Sequence, residues 1–153
     1  MIKLTESDRS ILRALQADAG VSTRDLADQL AMSQSTLWRR INDLEQSGVI
    51  EKRVAIVNPE SIGAEVSVII YVDLKVYDAD ARTAFETFVE MTPEILQCYA
   101  VTGAHDYVLI VHTTSVSSFE ALLMNRILSH PSVASASSQI TLRRLKHSTA
   151  LPL

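Results

Sequence analysis

The stretch from residue 21 to residue 48 predicts two short helices with almost nothing between them. An apolar residue, a serine and a second apolar residue five positions after the first occur twice, in VSTRDL (21–26) and in MSQSTL (32–37). Each pattern is typical of a serine N-cap with a hydrophobic contact across the first helical turn. Apolar residues then recur at helical spacing, and only Ala31-Met32 separates the two segments. We therefore expect two helices that meet at a tight turn.

Helices joined so closely cross steeply, which lets the second one project as the recognition helix of a helix-turn-helix. If Leu37, Ile41 and Leu44 face inward, the opposite face carries hydrogen-bonding, cationic and stacking side chains, which suit base edges and phosphates. The residues predicted to enter the major groove are Ser33, Gln34, Ser35, Trp38 and Arg39. The alternative is an ordinary solvated helix face, with Trp38 packed against the wing described next.

The flanking segments complete a winged helix-turn-helix. Thr5 and Asp8 form a capping-box pattern at the start of an earlier helix, and Gly48 suits the left-handed position after the last one. The β-branched segment VIEKRVAIV (49–57) is consistent with a short β-ribbon. The residues predicted to hold the DNA backbone are Arg40, Lys52 and Arg53. For the two ribbon residues, solvated charges on an edge strand are an equal alternative.

Net charge and cysteine content exclude several classes of protein. The net charge of the 153-residue chain is -4, which argues against coating nucleic acid by bulk electrostatics. Residues 33–57 nevertheless hold four basic and three acidic side chains, so DNA binding would rely on a small cationic patch and on several copies acting together. The single cysteine, Cys98, predicts neither a disulfide framework nor a metal site, and no cofactor is expected. With no leader and no apolar run of membrane-spanning length, we expect a soluble cytoplasmic protein.

The second half of the chain changes from helical to strand periodicity. In EVSVIIYVDLKV (65–76) apolar residues alternate strictly on one face, while the opposite face is only half polar. Helix, strand, strand, helix and strand patterns follow at 79–91, 95–102, 107–112, 116–129 and 133–142. This β-α-β-β-α-β order predicts a ferredoxin-like domain, so the fold class of the chain is expected to be α+β. A sheet whose open face is partly apolar usually has a partner there.

Three segments of the sequence carry a specific combination of features: SQSTLWRRINDLEQSGVI, VTGAHDYVLIV and HPSVASASSQITLRRLK. Together with the βαββαβ pattern and a glycine-x-x-aspartate break, they resemble the Lrp/AsnC family of prokaryotic transcription regulators, also called feast/famine regulators. The resemblance implies a sequence-specific DNA-binding regulator that forms homodimers through its C-terminal sheets and assembles into tetramers or octamers. It also implies a small effector, usually an amino acid, bound between dimers.

The resemblance places an effector site in the second half of the chain. The matching residues are Gly103, Ala104, His105 and Asp106 in the glycine-x-x-aspartate loop and Ser138 in the last strand. Gly103 permits close backbone approach, and the Asp106 carboxylate can accept hydrogen bonds from an α-ammonium group. The chain departs from the family at Ala31 in the helix-turn-helix, where glycine or asparagine is common. A left-handed alanine there costs about 1 kcal/mol.

The predicted organisation is a winged helix-turn-helix DNA-binding domain at 1–57, a linker at 58–63 and a ferredoxin-like oligomerisation and effector-binding domain at 64–153. One alternative is a dimeric-barrel enzyme, but the four histidines are scattered without metal-ligand spacing and no catalytic fingerprint is present. The other is an oligomeric module that binds a small molecule and has no role at DNA, which the acidic net charge suggests. The polar outer face of the predicted recognition helix favours the DNA-binding regulator.

Overall fold

The computed structural model describes residues 3–76 and 78–153, which form two compact units. The first unit comprises the residues through Ile56 together with Lys146–Leu153, and the second unit is Val57–Leu145. The sequence had assigned the last eight residues to the second domain. In the structure they lie in the first unit, where their backbone is hydrogen-bonded to a helix.

Three helices build the first unit: α1 (Glu6–Ala17), α2 (Thr23–Gln29) and α3 (Gln34–Gln46). Each begins at its predicted cap, because the hydroxyls of Thr5, Ser22 and Ser33 accept a hydrogen bond from the backbone N–H three residues later. In return the Thr5 N–H donates to the Asp8 carboxylate, which completes the predicted capping box. All three helices contribute to the core, which includes the buried side chains of Ile11, Leu26 and Leu37.

The turn between α2 and α3 has the strained conformation that the sequence suggested. Ala31 has a φ of 52°, and no other residue of the described chain except glycine has a positive φ. Crowding of the Cβ atom in this region costs an L-residue roughly 1–2 kcal/mol. The backbone N–H of Met32 donates to the Ala27 carbonyl at 2.9 Å, so the turn is held closed despite the strain. After α3, Gly48 takes the predicted left-handed position with a φ of 73°.

Replacing Ala31 with glycine should stabilise the protein. The substitution relieves roughly 1–2 kcal/mol of strain, while the greater freedom of glycine in the unfolded chain takes back about 0.4–1 kcal/mol. We expect the free energy of unfolding, measured by urea titration, to rise by about 0.5–1 kcal/mol. The matched control is Ala14→Gly inside α1, which should destabilise by a similar amount. An Ala31→Gly variant that unfolds at lower urea than the parent would show that the strain is not stored at this residue.

The predicted β-ribbon at 49–57 does not form within the chain, and that prediction was wrong. Residues 51–57 belong to no strand, and the side chains of Val54 and Ile56 are each 62% exposed. The segment EKRVAIV has β propensity, but it contains no glycine or asparagine that would fold it back on itself. A strand needs a hydrogen-bonded neighbour, and one copy of this segment provides none.

The second unit has the predicted βαββαβ order. Its elements are β1 (Val66–Leu74), α4 (Ala79–Glu90), β2 (Ile95–Ala100), β3 (Tyr107–Thr113), α5 (Val116–Leu122, continued by a π-helical turn at Leu123–Ile127) and β4 (Val133–Ile140). The four strands form one antiparallel sheet in the order β2-β3-β1-β4. The ferredoxin-like fold inferred from the periodicity is therefore confirmed.

The two faces of the sheet differ in how they are covered. Alternate residues of β1 and β3 are buried against both helices, with Phe85 of α4 and Phe119 of α5 in the same core. On the open face, Ile69 lies opposite Ile110 and Tyr71 lies opposite Val108, and all four side chains are half-buried. Among the helices described here, none is long and apolar enough to cross a lipid bilayer.

Candidate DNA-binding face and effector site

Helix α3 presents a polar and cationic face to solvent. Its inward residues Leu37, Ile41 and Leu44 are buried, as the spacing predicted. Its outward residues Gln34, Ser35, Trp38 and Arg39 are all exposed, and the Trp38 side chain has an exposed fraction of 63%. A large aromatic side chain so exposed is available to a partner. The N-terminal half of α3 is thus free to approach another molecule.

Trp38 borders a shallow depression at the side of α3. The depression has a volume of about 240 Å³ and is lined by Thr23, Trp38, Ile41, Asn42, Glu45 and Arg53. The indole therefore lies near the start of the 51–57 segment, as the packing alternative expected, yet most of its surface remains open. Both roles considered for Trp38 are compatible with this position.

Ser33 is occupied by the helix itself. Its hydroxyl oxygen accepts the backbone N–H of Thr36 at 3.2 Å and lies 2.8 Å from the Thr36 hydroxyl and 3.1 Å from that of Ser35. A cap of this kind fixes the first turn of α3 and orients its exposed backbone N–H groups. The structure thus gives Ser33 a positioning role, whereas the neighbouring Gln34 side chain points to solvent.

Of the four basic residues predicted to contact DNA, two form ion pairs with other described residues and two do not. Arg39 and Lys52 are exposed, and no described residue forms a hydrogen bond or an ion pair with either side chain. Arg53 donates to the Glu45 carboxylate at 2.7 Å, and both side chains of that pair are more than 40% exposed. An exposed pair of this kind contributes about 0–1 kcal/mol, so Arg53 can exchange Glu45 for a phosphate at little cost.

Arg40 is held more firmly, on the opposite side of α3. Its Nη1 donates to the Asp8 carboxylate at 2.9 Å and to the Thr5 hydroxyl at 3.3 Å, which joins α3 to the start of α1. Burial raises the pKa of Asp8, but the hydrogen bonds from Thr5 and from Arg40 outweigh it and hold that pKa below its usual range. Arg40 therefore orients the recognition helix, and a phosphate contact would require it to leave Asp8.

The contribution of Asp8 to stability should depend on pH. Because its pKa is lower in the folded protein than in the unfolded chain, the stabilisation is present above the unfolded pKa of about 3.9 and is lost as the pH falls through the folded pKa. In urea titrations, the free energy of unfolding of the parent should exceed that of Asp8→Asn at pH 6. The difference should shrink steadily towards pH 3. A difference that is constant over this range would contradict the assignment.

The glycine-x-x-aspartate loop joins the ends of β2 and β3. Gly103 has a φ of 120°, a conformation that side chains rarely adopt, and this allows the sharp reversal. The Asp106 Oδ2 accepts the backbone N–H of Leu74 at 2.8 Å, and the Asp106 N–H donates to the Val72 carbonyl at 3.2 Å. Asp106 thus fixes the loop to the end of β1. Its other carboxylate oxygen accepts no hydrogen bond from the described residues.

His105 belongs to a polar cluster on the open face of the sheet. Its Nδ1 lies 3.0 Å from the Asp73 carboxylate, and its ring centroid lies 5.0 Å from that of Tyr71. The Ser135 hydroxyl donates to Asp73 at 2.7 Å. The hydrogen bond from Ser135 has the largest effect and lowers the pKa of Asp73. Burial raises this pKa and the contact with His105 lowers it further, and the net result is a lowered pKa, so the carboxylate is ionised at neutral pH. Asp73 therefore joins the loop to β4.

Comparison with known proteins agrees with both parts of this geometry. Residues 4–51 match the family model described as winged helix-turn-helix DNA-binding, and residues 67–151 match the Lrp/AsnC ligand binding domain. The glutamate uptake regulatory protein of Zymomonas mobilis is 32% identical over 99% of this chain and 92% of its own. A crystal structure of a transcriptional regulator from Neisseria meningitidis in complex with L-methionine is 33% identical, with a TM-score of 0.94 over 98% of this chain and 97% of that one.

This chain belongs to the Lrp/AsnC family. It is a DNA-binding transcription regulator with a ligand-binding domain, and the matched family is one of transcription regulators rather than enzymes. A further Lrp/AsnC structure, the feast or famine regulatory protein of Mycobacterium tuberculosis complexed with L-methionine, is 30% identical and has a TM-score of 0.84 over 95% of this chain and 96% of that one.

In this Lrp/AsnC regulator, the predicted effector residues do not all meet. Ser138 is paired with Ile70, which is fully buried on the helix-covered side of the sheet, whereas the cluster around Asp73 lies on the open side. Paired residues of neighbouring strands share a face, so Ser138 is separated from His105. The hydroxyl that does reach the cluster is Ser135, because it is paired with Asp73. Sequence reasoning had found the open face of this strand half polar but had not connected it to the loop.

Proposed function

We propose that this regulator binds an amino acid or a closely related metabolite beside the loop 103–106, and that the bound molecule alters its affinity for DNA. Two structural neighbours that are 30–33% identical were crystallised with L-methionine, which supports an amino-acid ligand for this chain. The observation that carries the proposal is the free carboxylate oxygen of Asp106, next to a glycine that leaves the backbone open. A charged α-ammonium group forms a stronger hydrogen bond with such an oxygen than a neutral donor does.

In this proposal Asp106 has two roles: it accepts the Leu74 N–H, and it binds the ammonium group of the effector. The variant Asp106→Asn separates these roles. The amide oxygen of asparagine can still accept the Leu74 N–H, but the negative charge is gone. We expect a folded protein that binds DNA like the parent without effector, while its affinity for the amino acid falls by about 10–150-fold, the loss of a charged hydrogen bond worth about 1.5–3 kcal/mol. Calorimetric titration measures the affinity for the amino acid, and a DNA-binding assay with and without the amino acid measures DNA binding and its response.

The comparison variant is Asp106→Ala, which removes both roles. It leaves the part-buried Leu74 N–H without a partner and should also lower the free energy of unfolding by about 1–3 kcal/mol. If Asp106→Asn retains the full response to the amino acid, the ammonium group is bound elsewhere, and the next carboxylate to test is that of Asp73, which contacts His105 of the same loop.

DNA contact is proposed for the exposed half of α3 and for the segment that follows it. Gln34, Ser35, Trp38 and Arg39 would face base edges, with Ser33 fixing the start of the helix. The support is the exposure of these side chains and the absence of a partner for Arg39 among the described residues. Lys52 and Arg53 would bind phosphates. Arg40 would act mainly through Asp8, by holding α3 in place.

The regulator would act as a homodimer, formed through the open face of the sheet. That face is apolar at its centre, where the pairs Ile69–Ile110 and Tyr71–Val108 are only half-buried. A second copy is the occupant we propose, because an identical sheet is apolar at its centre in the same way. The segment 51–57, which has no strand partner among the described residues, would pair with the same segment of the second copy. Tetramers or octamers of such dimers would bring effector sites together.

The whole proposal can be tested by selecting bound fragments from the source genome with purified protein. The selection is run with and without a pool of the twenty amino acids at fixed salt, since affinity for DNA depends steeply on ionic strength. Recovery of a two-fold symmetric site, with an occupancy that the pool changes, is the expected result. A site whose occupancy ignores the pool would remove the effector proposal. Because DNA is its target, we place the protein in the cytoplasm.

A further inference from the structure

The segment 146–153 docks on α1 of the first unit. The Gln16 Nε2 donates to the Leu151 carbonyl at 3.2 Å, and the Leu151 N–H donates to the Gln16 Oε1 at 2.6 Å. Three residues before Gln16 on the same helix face, the Arg13 Nε donates to the Leu153 carbonyl at 3.0 Å. The Leu153 side chain is partly buried against the helical core. The docked residues 151–153 are hereafter called the clasp.

The chemistry of the clasp is that of peptide recognition. One glutamine amide satisfies both backbone groups of one residue, as a neighbouring strand would, and this fixes the register of the bound segment. Glutamine is suited to this because its amide carries a donor and an acceptor side by side. Both partners are partly accessible to solvent, so each bond contributes modestly and the contact is reversible.

The course of the chain gives the clasp a mechanical consequence. The chain leaves the first unit after Ile56. It returns at Lys146, and the five residues 141–145 separate that point from the end of β4 at Ile140. The DNA-binding unit is therefore attached to the ligand-binding unit by two connections while the clasp is docked, and by one when it is released. A second attachment restricts the orientations that the DNA-binding unit can sample.

We propose that the clasp is a docking motif for the Arg13–Gln16 face of α1, and that it restricts the orientation of the DNA-binding unit so that the regulator discriminates between half-site spacings. The second part rests on the proposed binding of a dimer to two half-sites. If the DNA-binding units of the two copies are restricted in orientation, they fit one half-site spacing. DNA-binding units on single flexible connections tolerate several spacings.

The test uses the full-length protein with Gln16→Ala, and Gln46→Ala at the exposed end of α3 as the matched control. Hydrogen exchange of the Leu151 amide is measured first, without DNA. We expect protection in the parent and in Gln46→Ala, and exchange several-fold faster in Gln16→Ala. Gln16→Glu keeps the acceptor for the Leu151 N–H but loses the donor, so it should fall between them. A Leu151 amide that is unprotected in the parent would overturn the docking itself.

The second measurement uses duplexes that carry the selected two-fold site, with base pairs inserted or removed between the half-sites. The parent and Gln46→Ala should lose affinity steeply when the spacing changes. Gln16→Ala should bind the best spacing several-fold more weakly and lose less on the others. An unchanged spacing preference, despite faster exchange at Leu151, would overturn the orientation claim. A parent protein that binds no duplex at any spacing would contradict the proposed function, while the exchange data would still decide whether the clasp docks.

Discussion

Ile110→Asp is expected to convert the proposed dimer into monomers. Ile110 lies at the centre of the apolar open face of the sheet, opposite Ile69, and is only half-buried in the single chain. In the proposed dimer the carboxylate would be desolvated without a partner, at a cost of roughly 2–3 kcal/mol per copy. Since a two-fold interface contains each substitution twice, the dimer dissociation constant should rise by about three orders of magnitude or more.

Sedimentation or light scattering over a range of protein concentrations measures this change. DNA binding should weaken in parallel, because a monomer contacts only one half-site. The matched control is Val116→Asp, the same kind of apolar-to-acidic change at an exposed position that starts α5 on the other side of the sheet, where it should leave the dimer intact. A dimer that survives Ile110→Asp would show that subunits associate through another surface, and the unpaired segment 51–57 would be examined next with Val54→Asp.

Local signals in the sequence predicted the helices and most of the fold. Serine caps and apolar spacing involve residues only four to eight positions apart, so they can be recognised in the sequence. Ser22 and Ser33 therefore located the starts of α2 and α3. The strict alternation in β1 gave both the strand and its buried face. The strain at Ala31 was expected from the family resemblance, because glycine or asparagine is common at that position of the turn.

Features that depend on distant partners were not predictable in this way. The 49–57 segment has the composition of a strand, but whether it forms one depends on a neighbouring strand, which the described part of the chain does not supply. The clasp joins residues that are 135 positions apart, and nothing in the short apolar tail indicates where it docks. Arg40 was expected to face DNA because periodicity places it on the flank of α3; its ion pair with Asp8 links two helices and lies outside any local pattern.

The effector site shows how register limits a prediction. The family resemblance pointed to the loop 103–106, which the structure fixes to β1 through Asp106. It also suggested Ser138 in β4, but strand pairing puts that residue opposite Ile70 and turns it away from the open face. Side chains alternate between faces, so an odd displacement along a strand moves a residue to the other side of the sheet. Pairing of Asp73 with Ser135 could be known only from the assembled sheet.

Arg39→Ala is expected to cause the largest loss of sequence-specific DNA binding. Arg39 is exposed on α3 and has no partner among the described residues, so its guanidinium is available without breaking an existing pair. If it contacts a guanine, truncation should cost about 1–3 kcal/mol in each half-site. A dimer uses the side chain twice, which gives a total of roughly 2–6 kcal/mol, or about 30-fold to 10⁴-fold in affinity.

Specificity and salt dependence separate the possible meanings of that loss. A base contact predicts that Arg39→Ala weakens binding to the selected site but hardly changes binding to unrelated DNA, so discrimination at one base pair of each half-site is relaxed. A phosphate contact predicts equal loss on all sequences and a shallower dependence on salt. Lys52→Ala is the matched control, because Lys52 is also exposed and unpaired among the described residues and should show the phosphate pattern. If Arg39→Ala leaves both kinds of binding unchanged, α3 does not read the groove through this residue, and the DNA-binding face must be sought around Trp38 and Gln34.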